Sequence, residues 1–165
     1  MKTLKTLLLV LLISSLNMAC KKDKTNQPTQ TGANKMYAKV NGVPWQPKGC
    51  LACSSSFSIG YDDRITFGLG GKNVDQKISI TIVLRNLTKT GIYELTSTEL
   101  NFGDLVNSSY RLTTTKFKKG TITITKLDLA NKIISGTFEF TAEDKDNPQN
   151  TVKVTDGWFD GKYEI

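Results

Sequence analysis

The chain contains no histidine, which removes much of ordinary active-site chemistry. Ser-His-Asp and Cys-His nucleophiles, histidine-ligated zinc and the usual general base near neutral pH all need an imidazole. There are three cysteines. Cys50 and Cys53 form Cys-Leu-Ala-Cys, a spacing open to a short-loop disulfide, a redox pair or half of a zinc site. A redox pair belongs at a helix N-terminus in a βαβ setting, whereas Ser54-Ser55-Ser56-Phe57-Ser58-Ile59 reads as the start of a strand. Zinc needs two more ligands than this pair supplies, so no metal or cofactor is expected. A stapling disulfide is the favoured reading in an oxidising compartment.

Carboxylates cluster at Asp62-Asp63 and at Glu143, Asp144 and Asp146. The second group has hard oxygen ligands two residues apart. An EF-hand loop, however, needs Asp or Asn at its fifth position and Gly at its sixth, where Pro148 and Gln149 stand. The acids read as solvated turns, and no motif supports catalysis. The aromatic residues are more informative. Trp45 follows Pro44 after the first strand, and Trp158 follows Asp156-Gly157 beside Phe159. If the strand continues, alternation places Trp158 and Phe159 on opposite faces. Trp45, Trp158 and Tyr61 are therefore the candidates for stacking on a sugar ring or a partner protein. The competing reading of each tryptophan is a core residue closing one end of the domain.

Strands must position these residues, because the period is two nearly throughout. Ile78, Ile80, Ile82 and Leu84 alternate with Ser79, Thr81, Val83 and Arg85, the pattern of a strand with one buried face. Ile122 and Ile124, then Phe138, Phe140 and Ala142, then Val152 and Val154 repeat it. Weaker strands are expected over 37–40, 56–61, 65–69, 91–95 and 110–115. Asn41-Gly42, Asp156-Gly157 and Asp160-Gly161 are suited to turns that need positive φ. Residues 127–132 and 144–150 read as loops. The best helical candidate is a turn over 97–105, capped by Ser97. About nine short strands predict an all-β domain, an antiparallel sandwich or a flattened barrel.

The first twenty residues set the compartment. Lys2 and Lys5 precede an unbroken apolar run from Leu7 to Ile13, and Ser14 to Ala19 are smaller and more polar, the layout of a secretory signal. The run is too short to span a bilayer, which needs ~20 apolar residues. With Cys20 directly after Ala19, the segment resembles a bacterial lipoprotein signal. That resemblance implies a signal peptide over 1–19 and an acylated, palmitate-bearing Cys20 as the first mature residue. Asn17 departs from the aliphatic residue usual three positions before such a cysteine. Residues 21–35 are polar and lack aliphatic side chains, so 20–35 reads as a lipidated cysteine and flexible tether, ahead of a domain over 36–165.

The formal charge of the chain is +7. Lys2, Lys5, Lys21, Lys22, Lys24 and Lys35 lie ahead of the domain, as does Asp23, leaving 16 basic and 14 acidic residues within it. That near balance argues against a surface built to neutralise nucleic-acid phosphates. The expected partners are the membrane, through the lipid on Cys20, and a glycan or an envelope protein.

The opening Met36–Trp45 (MYAKVNGVPW) and the closing Ile122–Ile165, with ISGTFEF and VTDGWFDGKY, resemble a family of small lipoproteins of unknown function from Bacteroidetes-type bacteria. The resemblance implies an exported, lipid-anchored all-β protein of the outer membrane and carries over no catalytic residue. In such lipoproteins an acidic stretch after the cysteine goes with surface export. Lys21-Lys22-Asp23-Lys24 is net positive, which favours the periplasmic face. The function expected is non-catalytic binding or structure, with carbohydrate capture, or a redox or metal role through Cys50 and Cys53, as alternatives.

Overall fold

The computed structural model describes residues 28–51, 55–62, 66–97 and 101–163. The signal segment, Cys20, Cys53 and Asp63 lie outside them. Eleven strands are formed: β1 (Lys35–Val40), β2 (Val43–Trp45), β3 (Phe57–Tyr61), β4 (Phe67–Asn73), β5 (Ile78–Leu84), β6 (Gly91–Leu95), β7 (Phe102–Val106), β8 (Arg111–Thr113), β9 (Gly120–Asp128), β10 (Ile133–Glu143) and β11 (Thr151–Lys162). No helix occurs among the described residues. Nine strands follow one antiparallel path, β2-β1-β11-β10-β8-β7-β5-β4-β3, curled into a half-barrel. The sheet forks at β10. Ile133 to Phe140 pair with β9, which in turn carries β6, while Glu143 pairs with Thr113 of β8.

Local alternation decides what faces inward. Ile80, Ile82 and Leu84 of β5 are buried, as are Ile122 and Ile124 of β9, Phe138, Phe140 and Ala142 of β10, and Val152 and Val154 of β11. Their β-branched and aromatic side chains suit a pleated, half-buried surface. Each full burial of a large apolar side chain contributes ~1.5–3 kcal/mol before entropy is counted. Phe159 is wholly buried and packs on Phe67 with centroids 5.6 Å apart, so it joins β11 to β4 across the core.

Turn chemistry divides the three expected glycine turns. Asn41 and Gly42 take φ of 48° and 82° and close the β1–β2 hairpin. Asp156-Gly157 and Asp160-Gly161 are not turns, because β11 runs straight through both. Asp156 takes φ 52° at a bulge, where the β10 register steps from Phe138↔Gly157 to Phe140↔Val154. Gly157 is required there by proximity, since a Cβ would stand 2.5 Å from the Phe138 ring and carbonyl. The helical turn expected over 97–105 is also overturned. Its second half, from Phe102, is strand β7, held between β5 and β8 by ladder bonds that outweigh local capping. Leu127 and Asp128, expected in a loop, extend β9.

Residues 29–32, which composition placed in a tether, are fastened to the domain. Asp160 is fully buried, and its carboxylate accepts hydrogen bonds from Thr29 Oγ1, Thr31 N (3.1 Å), Gly32 N (2.9 Å) and Ser135 Oγ (2.7 Å). Lys126 Nζ donates to the Gln30 carbonyl at 3.0 Å. Residues 29–32 thus form a strap across β11, β10 and β9. Burial alone would raise the Asp160 pKa, but bonds from Thr29, Ser135, Gly32 and Thr31 outweigh it and hold the carboxyl below its ordinary value.

Candidate functional site

The three aromatic residues singled out in the sequence fall in three different environments. Trp45 is 1 % exposed and belongs to the core, which removes it as a stacking residue. The reason is register. Trp45 pairs with Ala38 of β1, so its indole falls on the buried face. Gly71 leaves room for it, since a Cβ at that position would stand 2.7 Å from Trp45 Cη2. Tyr61 is half-buried at the end of β3. Its hydroxyl donates to the Leu87 carbonyl at 2.7 Å, and its ring meets Tyr163 edge-on, 5.1 Å between centroids. Burial, with Tyr163, Tyr93 and Asp62 nearby, holds its phenol above the ordinary value. Both its ring and its hydroxyl are therefore committed to the fold.

Trp158 is the residue whose placement matches a binding role. It lies on the face of β11 opposite Phe159 and is half-buried. Tyr37 of β1 stands directly across from it in the ladder. The two rings are 6.5 Å apart and 25° from parallel. Trp158 Nε1 is buried and has no hydrogen-bond acceptor. A buried N–H without a partner costs ~1–3 kcal/mol, and a ligand acceptor would relieve that. Beside the pair lies a cleft of about 400 Å³, whose far wall is Gln46, Pro47, Ser56 and Phe57. Its size lies in the range of ~300–1,000 Å³ usual for small-molecule sites.

Cys50 lies in the segment that builds that wall and is disulfide-bonded. Its expected partner, Cys53, lies outside the described residues. The wall is held from both sides of Cys50. Before it, Lys48 makes a parallel bridge with Asn73, through Lys48 N to Lys72 O (2.9 Å) and Val74 N to Lys48 O (3.0 Å). Asn73 Nδ2 also donates to the Gln46 carbonyl at 2.8 Å. After it, Lys72 N donates to Ser56 O at 2.8 Å. Both arms are therefore fastened to the end of β4, so the wall is part of the sheet framework.

The acids singled out in the sequence serve local structure. Asp62 Oδ1 accepts from Thr66 N at 2.9 Å. Glu143 is buried and accepts from Thr115 Oγ1 at 2.7 Å. Asp144 Oδ1 accepts from Asp146 N at 3.0 Å, closing the β10–β11 turn. Tyr37 was missed as a partner for Trp158. The only sequence signal was its alternation with Met36 and Ala38, which sets its face but not its neighbour.

No curated protein and no solved structure matches the chain. The matched region, residues 34–161, takes in β1 to β10, the glycine bulge and all but the last residue of β11, so the chain belongs to the family described as Domain of unknown function (DUF6252).

Proposed function

We propose that this chain is an exported, lipid-anchored envelope protein that acts by binding rather than catalysis, with the Tyr37–Trp158 cleft as its ligand site. The observation that carries the reading is Trp158 itself: a half-buried indole, stacked on Tyr37, whose Nε1 lacks an acceptor beside a 400 Å³ cleft. A ligand with one flat apolar face and one hydrogen-bond acceptor fits that arrangement. Carbohydrate capture is the second reading, favoured by the same indole, because a pyranose ring presents both features.

The anchor fits the position of the strap. If Cys20 carries the lipid, residues 21–28 separate it from the strap, a span of ~28 Å at most. The domain then stands close to the bilayer, on the periplasmic side of the outer membrane as the basic Lys21-Lys22-Asp23-Lys24 stretch favours. Several acyl chains on Cys20 would make the anchor durable where one chain alone is marginal.

Tryptophan fluorescence tests the binding reading. Trp45 is buried and constant, so a change on adding ligand reports Trp158. A saturable change across a panel of glycans and envelope-derived small molecules, lost in Trp158→Phe, is the expected result. No response to any member would overturn the assignment of the cleft. Mass spectrometry of the mature N-terminus tests the anchor separately, and an unacylated Cys20 would reject it.

A further inference from the structure

The geometry points to a second binding site, a saccharide subsite built around Asp104, Arg111 and Tyr110. On β7, Gly103 and Leu105 face the core, and a Cβ at Gly103 would stand 3.0 Å from the Phe140 ring. Alternation therefore turns Asp104 to the outer face. An aspartate on that face is ordinarily solvated, yet Asp104 is only 2 % exposed. Loops from separate parts of the chain rise around it: Ser97, the Ser109–Tyr110 turn and the Asp144–Asp146 turn. They enclose a cleft of about 550 Å³ with Asp104 and Arg111 in its lining.

The carboxylate is only half used. Arg111 Nε donates to Asp104 Oδ2 at 2.9 Å, and Nη2 donates to the same oxygen. Asp104 Oδ1 is buried and accepts no hydrogen bond. A guanidinium has five N–H donors, so Arg111 keeps donors unspent beside an unsatisfied acceptor. Its side chain is 66 % exposed and free to adjust.

Charge narrows the ligand. A free cation meets Arg111, already seated on the carboxylate. An anion meets Asp104, Asp144 and Asp146. Among the described residues no three His, Cys, Asp or Glu side chains converge as a metal site. A neutral ligand that both donates and accepts fits the arrangement. Two adjacent sugar hydroxyls do so, one donating to Asp104 Oδ1 and the other accepting from Arg111. Tyr110, 38 % exposed, offers a ring face for the pyranose. This site shares no lining residue with the Tyr37–Trp158 cleft, so either can fail without the other.

Calorimetric titration of the mature chain carrying Cys20→Ser tests it. The probes are neutral malto-, cello-, xylo- and chito-oligosaccharides. At least one should bind saturably, with affinity falling tenfold or more in Tyr110→Ala and in Asp104→Asn and unchanged in Trp158→Phe. Circular dichroism checks that the variants fold. If Asp104→Asn does not, Tyr110→Ala decides alone. No binding by any probe overturns the proposal, as does binding that Tyr110→Ala leaves intact or that only Trp158→Phe weakens.

Discussion

Tyr37 and Trp158 face each other across the β1–β11 ladder, with ring centroids 6.5 Å apart. The pair owes its position to the bulge at Asp156. The extra residue there shifts the register between Tyr37 and Lys39 on β1 and between Phe138 and Phe140 on β10. It follows that the bulge aligns Trp158 with Tyr37, a use of irregular pairing to re-aim a side chain.

Replacing Trp158 by alanine should leave the fold intact, because the core residue beside it is Phe159. Stacked aromatic pairs contribute ~0.5–1.5 kcal/mol beyond area burial. A loss of about 1–2 kcal/mol in urea unfolding is expected. A loss above about 4 kcal/mol would mean that the indole is a core residue.

Trp45→Phe makes a contrasting case. The substitution loses part of a fully buried ring but also deletes an N–H that has no acceptor. An unsatisfied buried donor costs ~1–3 kcal/mol, so the two effects oppose each other. The expected net change is within about 1 kcal/mol, against the ~3–5 kcal/mol typical of Trp→Ala in a core. Equal destabilisation by Trp45→Phe and Trp45→Ala would disprove the offset.

Asp160 makes stability depend on acid. Its folded pKa lies below the ordinary value, so its contribution is fully present above the unfolded-state pKa of ~3.9. It is lost as pH falls through the lower folded value. Asp160→Asn should therefore cost about 2 kcal/mol or more at pH 7, since hydrogen bonds to a charged group contribute ~1.5–3 kcal/mol. The variant should also lose less stability than the parent as pH falls from 5 to 2. Because the strap loses its clamp, amide exchange at Thr31 and Gly32 should quicken. Unchanged exchange there would show that the strap is held by other contacts.

Two glycines separate steric need from mere occurrence. A Cβ at Gly136 would stand 2.2 Å from the Thr123 carbonyl oxygen, and ladder backbone cannot retreat. Gly136→Ala should cost more than about 3 kcal/mol or prevent folding, beyond the usual range for overpacking. Gly60 has open space around its Cβ position and ordinary φ, so Gly60→Ala should change stability by less than about 1 kcal/mol. Thermal melts of the two variants make the comparison, and similar midpoints would contradict it.

Much of this fold is legible in the chain because strand burial is a local, period-two property. Ile80, Ile82, Leu84, Ile122, Ile124, Phe138, Phe140, Val152 and Val154 announce their inward face by alternation alone, without knowledge of any partner. β2 and β7 escape notice because Val43-Pro44-Trp45 and Phe102-Gly103-Asp104-Leu105-Val106 show no clean alternation of apolar and polar side chains. Local capping around Ser97 was also misleading: β7 is a strand only because β5 and β8 lie beside it to accept its backbone bonds.

The sites divide the same way. Alternation by itself determined that Trp158 and Phe159 point apart, and composition determined that histidine-based catalysis is absent. Only the tertiary structure decided which tryptophan is buried, because that depends on the pairing of Trp45 with Ala38 and on Gly71 making space for it. It also decided that Asp156-Gly157 is a bulge, that Asp160 clamps the residues before β1, and that Asp104 lies under loops from three separate parts of the chain. These are contacts between residues far apart in sequence. Sequence period reports the face on which a side chain emerges, but the neighbour it meets there is set by register.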